Sequence, residues 1–254
     1  MKLNFKTFGQ GEPLIILHGL LGSLDNWQTL GKKLAKNYTV FLVDQRNHGR
    51  SPHSDEFSYD ILAEDLLCFM EDNYLYKAHL LGHSMGGKTV MQFALQNPDM
   101  VDKLIVADIA PVKYIGGHEA IFNALLAVDL PNISTRKEIE TQLATTIKEF
   151  GVRQFLMKGL TRGEGNIFEW KFNLQSLWNN YKEVLGTFES NEVFEGETLF
   201  LKGGNSKYIL ADYQEQINTF FPDNQIQTIE GAGHWLHAEK PMDFLEKTLN
   251  FLQS

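Results

Sequence analysis

Residues 80–87 read LLGHSMGG and constrain the fold more than any other stretch of this chain. Apolar residues lead into Gly82, and the residues at 90–94 continue on the far side with helical character. The core of the stretch is G-x-S-x-G, the pattern of a sharp strand-to-helix turn with a serine at its tip. A side chain at either flanking glycine would collide with the neighbouring strand or helix. The stretch therefore predicts that Ser84 holds its hydroxyl at the carboxyl end of a sheet.

Apolar strands alternate with helical segments in the first half of the chain and again near its end. After an edge strand at 5–8, runs typical of strands lie at 14–17, 40–43, 79–81, 104–107, 198–202 and 225–229. Such an alternation indicates an α/β fold, with a mostly parallel sheet covered by helices on both faces. At 254 residues and 43% hydrophobic, the chain can bury a core of that size.

The pattern changes between the strands at 104–107 and 198–202. Helical segments follow one another at 120–128, 135–150, 151–160 and 174–185, with no convincing strand between them. Because a crossover needs only one helix, this block is predicted to be a helical cap inserted over the strand ends. We therefore predict a core domain of residues 1–110 and 197–254 and a cap of residues 111–196.

Composition narrows the class of protein. The formal net charge is −9 and basic runs are absent, so we expect no nucleic-acid partner. The first residues alternate like an edge strand, and no apolar run reaches membrane-spanning length. These features favour a cytoplasmic protein with no membrane partner. The single cysteine, Cys68, excludes an internal disulfide and a cysteine-rich zinc site.

Polar residues follow the predicted strands, where open parallel sheets bind their ligands. They are His18, Asp44, Ser84, Asp108, Asn205 and His234. A serine hydroxyl becomes a nucleophile when a histidine takes its proton and a carboxylate orients that histidine. The chain order of nucleophile, acid and histidine fits Ser84, Asp108 and His234. We expect no metal and no organic cofactor in this site.

Other residues are candidates for the group that orients the histidine. The residue after the penultimate strand is Asn205, an amide that stabilises an imidazolium poorly, and Asp212 lies already in a helix. Asp108 ends a buried strand beside the strand of Ser84 and is the better candidate. The base candidate is His234, because its Gly-Ala-Gly turn allows the imidazole to reach across the strand ends.

The remaining groups near the strand ends have supporting roles in this interpretation. Two backbone N–H groups, those of Met85 and Leu20, are predicted to form an oxyanion hole. His237 is predicted to be a surface or supporting group. Structural roles are predicted for the other histidines near the turns, His18, His48 and His83.

Several motifs together resemble the α/β-hydrolase superfamily, and within it the bacterial YbfF-type esterases. They are HGLLGSLDN at 18–26, RNHG at 46–49, GHSMGGK at 82–88, DIAPV at 108–112, GGNS at 203–206 and GAGHWLHAEKP at 231–241. The resemblance covers essentially the whole chain, and it implies that Asp108 is the acid. It also implies a serine esterase acting on short- to medium-chain acyl esters, with acyl-CoA thioesters as a further substrate class.

In this family aromatic groups surround the acyl site. The matching positions are Tyr114, Tyr208 and Trp235, for which ordinary cap and loop packing is the alternative. Positive charge for a CoA ester could come from Lys88, Arg153 or Arg162, for which surface solvation is the alternative.

Other functions on the same scaffold stay open. They are hydrolysis of a carbon–carbon bond, cofactor-free perhydrolysis and a non-catalytic role in ligand binding. Dehalogenases and epoxide hydrolases are disfavoured, because they carry aspartate where Ser84 stands.

Overall fold

The computed structural model describes residues 1–188 and 190–254, and within them the chain forms one seven-stranded and one two-stranded sheet. The strands are β1 (Phe5–Phe8), β2 (Pro13–Leu17), β3 (Thr39–Val43), β4 (Ala78–His83), β5 (Val101–Ala107), β6 (Leu160–Arg162), β7 (Phe168–Trp170), β8 (Thr198–Gly203) and β9 (Asn224–Ile229). The large sheet has the order β1-β3-β2-β4-β5-β8-β9. Only its edge strand β1 is antiparallel to its neighbour, so the sheet is mostly parallel as predicted.

Some helices cover the two faces of this sheet, and others lie between β5 and β8 in the chain. They are α1 (Gln28–Leu34), α2 (Tyr59–Asp72), α3 (Met85–Gln96), α4 (Glu119–Leu126), α5 (Arg136–Thr146), α6 (Phe150–Lys158), α7 (Leu174–Asn179), α8 (Tyr181–Leu185), α9 (Gln214–Phe220), α10 (Leu236–Glu239) and α11 (Pro241–Leu252). Successive residues of a strand point to opposite faces. In β4, Leu80 packs into the cluster that holds α2, α3 and α9, and Leu81 packs into the cluster with α1 and α11.

Helices α4 to α8 lie between β5 and β8 and cover a third apolar cluster. Leu21 from the loop after β2 and Met85 at the start of α3 pack there with Phe122, Leu143 and Leu177 from these helices. Because burial of apolar area stabilises such contacts, the helical block is held over the carboxyl ends of the strands. This arrangement supports the proposed cap at 111–196.

The prediction of a strand-free cap is wrong. β6 and β7 pair antiparallel, with Leu160 opposite Trp170. Leu160 had been assigned to a helix, but α6 ends at Lys158. The predicted helix at 174–185 is two helices, which meet at Asn180.

Candidate active site

Ser84 stands at the turn between β4 and α3, where the backbone is strained. Its φ of 53° and ψ of −118° lie in a region that residues with a Cβ rarely adopt. The turn is possible because a Cβ at Gly82 would overlap the carbonyl of Gly86. A Cβ at Gly86 would lie 2.6 Å from the carbonyl oxygen of His18. The two glycines therefore allow the turn that holds the Ser84 hydroxyl above the strand ends.

Ser84, His234 and Asp108 form a continuous hydrogen-bonded chain. His234 Nε2 lies 3.0 Å from Ser84 Oγ, and His234 Nδ1 lies 2.8 Å from Asp108 Oδ2. Asp108 is fully buried, and its other oxygen accepts the Gly203 N–H at 2.9 Å. An ionised carboxylate beside Nδ1 keeps the proton on that nitrogen and leaves Nε2 free to accept the serine proton. The structure thus brings together the three residues that the sequence selected.

Two side chains hold the loop of His234 in place. His83 donates from Nε2 to the backbone oxygen of His234 at 2.8 Å. Tyr208 stacks on the imidazole of His234, with ring centroids 3.9 Å apart and planes 22° apart. Tyr114 in turn donates its hydroxyl to the Tyr208 carbonyl and accepts the Ala110 N–H at 2.9 Å. Tyr114 and Tyr208 therefore pack behind the histidine rather than along the cavity at Ser84.

Sequence reasoning gave no role to Ser206, whose hydroxyl donates to Asp108 Oδ2. The strand β8 ends at Gly203, and it pairs with β5, which ends just before Asp108. Ser206 lies in the turn after β8, and the pairing of β8 with β5 is the signal that could have placed it beside Asp108.

We expect Ser206→Ala to lower kcat for ester hydrolysis by about 10- to 100-fold, with little change in KM. A hydrogen bond to a charged group contributes about 1.5–3 kcal/mol, and here it orients the carboxylate rather than the substrate. Steady-state kinetics would check this, with Ser206→Thr as the variant that keeps the hydroxyl. Equal kcat values for the alanine variant and the wild type would contradict it.

The loop after β2 lines the cavity at Ser84 through Gly19, Leu20 and Leu21. His18 Nδ1 donates to Gly19 O at 2.8 Å, while His48 Nε2 accepts the Leu21 N–H at 3.1 Å. Burial lowers the pKa of His18 to about 4 and that of His48 to about 3, so both are neutral. The structural roles predicted for these histidines are confirmed by these contacts. They fix the loop that carries Leu20.

The cavity at Ser84 lies between this loop, the loop of His234 and the cap. It has a volume of about 30 Å³. From the core it is lined by Leu20, His83, Ser84, His234 and Trp235 among others, and from the cap by His118, Ile121, Val152, Phe155 and Leu156. Among the predicted aromatic residues, Trp235 lines this cavity, and Tyr114 and Tyr208 do not.

His118 brings an imidazole from the cap into this cavity, a residue that sequence reasoning missed. The Tyr181 hydroxyl accepts the backbone N–H of His118 at 2.9 Å and lies 3.0 Å from its Nδ1. Burial lowers the pKa of His118 to about 4. A neutral ring that accepts a hydrogen bond at Nδ1 carries its proton on Nε2. The cap thus offers a polar group to the cavity that Ser84 and His234 line, and no motif in the sequence marked it.

His237 is buried, which excludes the surface position considered for it. Its ring stacks on Trp27, with centroids 4.3 Å apart and planes 8° apart, and burial lowers its pKa to about 3. It also lies 4.6 Å from the ring of His83, centroid to centroid. His237 therefore supports the histidine that holds the loop of His234.

Of the three cationic residues considered for a CoA ester, none lines the cavity at Ser84. Arg153 pairs with Glu140 at 2.7 Å, and Arg162 stacks its guanidinium 3.9 Å from the ring centroid of Phe168. Lys88 is 1% exposed, so the solvated position considered for it is wrong. Its ammonium lies 4.8 Å from the ring centroid of Tyr114 and donates to backbone carbonyls at the end of α8.

Lys88 gives the fold a pH-dependent stability that a Lys88→Met variant lacks. Burial lowers the pKa of Lys88 from 10.5 to about 7. Between these values the folded chain binds fewer protons than the unfolded chain, so stability rises with pH. We expect the free energy of unfolding of the wild type, relative to Lys88→Met, to increase by up to about 1.4 kcal/mol per pH unit from pH 7 to pH 10. Urea denaturation at three pH values would check this, and a constant difference would contradict it.

In the described ranges, 1–188 and 190–254, no group of three or more His, Cys, Asp or Glu side chains could hold a metal ion. No helix in the same ranges combines the length and the apolar character needed to cross a membrane.

Comparisons with known proteins agree with the fold. The family model described as alpha/beta hydrolase fold matches residues 12–241. Esterase YbfF of Escherichia coli is 37% identical over 99% of both chains. The sn-1-specific diacylglycerol lipase ABHD11 of Mus musculus is 40% identical over 94% of this chain and 80% of its own length. A solved structure named marine microorganism esterase superposes with a TM-score of 0.97 at 46% identity, over 98% of this chain and 99% of that one.

The chain belongs to the α/β-hydrolase fold family. Within that family it is an esterase-type enzyme, similar to YbfF along its whole length.

Proposed function

We propose that the protein is a serine esterase that hydrolyses short- to medium-chain acyl esters through an acyl-enzyme. One observation carries the proposal: the chain of hydrogen bonds from Ser84 through His234 to Asp108, at 3.0 and 2.8 Å, with Ser84 and His234 lining a cavity beneath the cap. The names of the esterase and lipase relatives support carboxylic esters as the class of substrate.

In the first half of the reaction, Ser84 Oγ attacks the ester carbonyl as its proton passes to His234 Nε2. The backbone N–H groups of Leu20 and Met85 stabilise the oxyanion, and Asp108 stabilises the imidazolium. When the tetrahedral intermediate collapses, the bond to the alcohol oxygen breaks and His234 donates its proton to that oxygen. The products are the alcohol and an ester of Ser84.

In the second half, water attacks the acyl-enzyme. His234 takes a proton from the water, and the resulting tetrahedral intermediate expels Ser84 Oγ, which regains the proton. The carboxylic acid leaves, and the enzyme returns to its starting state. Each proton moves between atoms that the structure holds within hydrogen-bond distance or that the substrate brings.

The proposal is tested with p-nitrophenyl esters from acetyl to palmitoyl, and with acyl-CoA thioesters of the same chain lengths. Turnover that peaks at a short or medium acyl chain supports the esterase proposal, and turnover of the thioesters adds that class to its substrates. A folded protein that turns over no ester would contradict it and favour a carbon–carbon hydrolase, a perhydrolase or a ligand-binding protein.

A further inference from the structure

The cavity at Ser84 is small, with a volume of about 30 Å³. A much larger cavity, of about 390 Å³, lies next to it between α6 of the cap and the start of α10. That volume falls within the range of about 300–1,000 Å³ that is usual for ligand pockets. The space available beside the nucleophile is thus far smaller than the space a short distance away.

The two cavities share three lining residues, Val152, Phe155 and Trp235. Phe155 projects from the cap and Trp235 directly follows His234, and their ring centroids lie 5.7 Å apart with planes at 43°. Both are partly exposed rather than locked in the core. The two rings meet at the wall that the cavities share, and side chains change rotamer without any rearrangement of the backbone.

The larger cavity is suited to an apolar group. Its shared wall with the catalytic cavity is aliphatic and aromatic, through Val152, Phe155 and Trp235. Its charged lining residues, Glu149, Lys158 and Glu239, are all exposed, and Glu239 accepts the Gly233 N–H at 2.7 Å. A group that passes from the ester bond through this shared wall therefore meets apolar surface first.

We propose that Phe155 and Trp235 form a gate between the catalytic cavity and the larger cavity, and that the larger cavity binds the linear apolar chain of a medium-chain ester. This inference rests on the proposed esterase function and assigns the residues that set its chain-length preference. The chain is either the acyl chain or the alkyl chain of the alcohol, which have the same chemistry beyond the ester bond.

The test measures the ratio of kcat/KM for a ten-carbon chain to that for a two-carbon chain in two series of esters. In the first series the acyl chain varies, from p-nitrophenyl acetate to p-nitrophenyl decanoate. In the second the alcohol varies, from ethyl acetate to decyl acetate, and released acetate is measured. The series in which the variants change the ratio identifies which chain enters the larger cavity.

Phe155→Ala opens the gate, and we expect it to raise the ratio about tenfold. Ala238→Trp fills the larger cavity, which Ala238 lines without lining the catalytic cavity, and we expect it to lower the ratio about tenfold. Ala120→Trp places the same indole on the exposed surface of α4 and is the matched control. If Phe155→Ala fails to fold, Phe155→Leu and Ala238→Trp decide the question.

Unchanged ratios in both series, with Ala238→Trp folded, would overturn the proposed gate. That outcome differs from failure of the esterase proposal, because the wild type would still hydrolyse acetate esters in a Ser84-dependent reaction. Loss of that reaction is a separate result, and it is read from the two-carbon esters alone.

Discussion

Ser84→Ala is expected to lower kcat/KM for short acyl esters by about three orders of magnitude or more. Without Oγ no acyl-enzyme forms, and only the oxyanion hole and substrate binding remain to accelerate direct attack by water. The substitution removes one atom from a strained turn and leaves the glycines around it unchanged. The variant should therefore fold, as measured by its melting temperature and circular dichroism.

Ser134→Ala is the matched control for this variant. Ser134 is an exposed serine in the cap, so removal of its hydroxyl should leave both activity and stability unchanged. Hydrolysis by Ser84→Ala at a rate close to that of the wild type would contradict the assignment of Ser84 as the nucleophile.

Asp108→Asn is expected to lower kcat by about 10⁴-fold while the geometry of the site is kept. Asp108 Oδ2 accepts the proton-bearing Nδ1 of His234 at 2.8 Å. An amide NH₂ group in that position would favour the tautomer with its proton on Nε2, which cannot accept the proton of Ser84. The amide oxygen can still accept the Gly203 N–H, so the fold should survive.

Asp102→Asn is the control for this change, because Asp102 lies on the same strand β5 and pairs with Lys77 at the surface, at 2.8 Å. We expect it to retain wild-type kcat, since exposed ion pairs contribute at most about 1 kcal/mol to stability. A loss of less than tenfold for Asp108→Asn would show that Asp108 does not orient the histidine.

The strand ends were the part of the molecule that the sequence predicts best. Continuous apolar runs mark strands buried on both faces, and their carboxyl ends meet at one edge of the sheet. Ser84 and Asp108 each follow such a run, whereas His234 follows the partly exposed strand β9, and the sheet topology brings the three together. Ser206 also follows a strand end, and the pairing of β5 with β8 places its hydroxyl beside Asp108.

The cap was harder to predict, because its elements are short. β6 and β7 have three residues each, too few to show the alternation that indicates a strand. α5 ends at Thr146, four residues before the predicted end, since no glycine or proline marks its stop. Helices α7 and α8 meet at Asn180, and the apolar residues keep a helical spacing across this point. The sequence pattern is therefore that of a single helix.

The burial of polar side chains could not be predicted from the sequence either. Lysine is seldom fully buried unless it is paired, which favoured a surface position for Lys88. The structure instead places its ammonium against an aromatic ring and backbone carbonyls from the cap. The sizes of the two cavities depend on rotamers of residues from distant elements, such as Phe155 and Trp235, and no local pattern encodes them.

The most direct test of the account is to label the protein with a fluorophosphonate and locate the adduct by peptide mass spectrometry. Such a probe phosphonylates a serine only when a base activates its hydroxyl. We predict one adduct, on Ser84, that is absent from Ser84→Ala and strongly reduced in Asp108→Asn. A folded wild-type protein that remains unlabelled, or an adduct on another residue, would contradict the account.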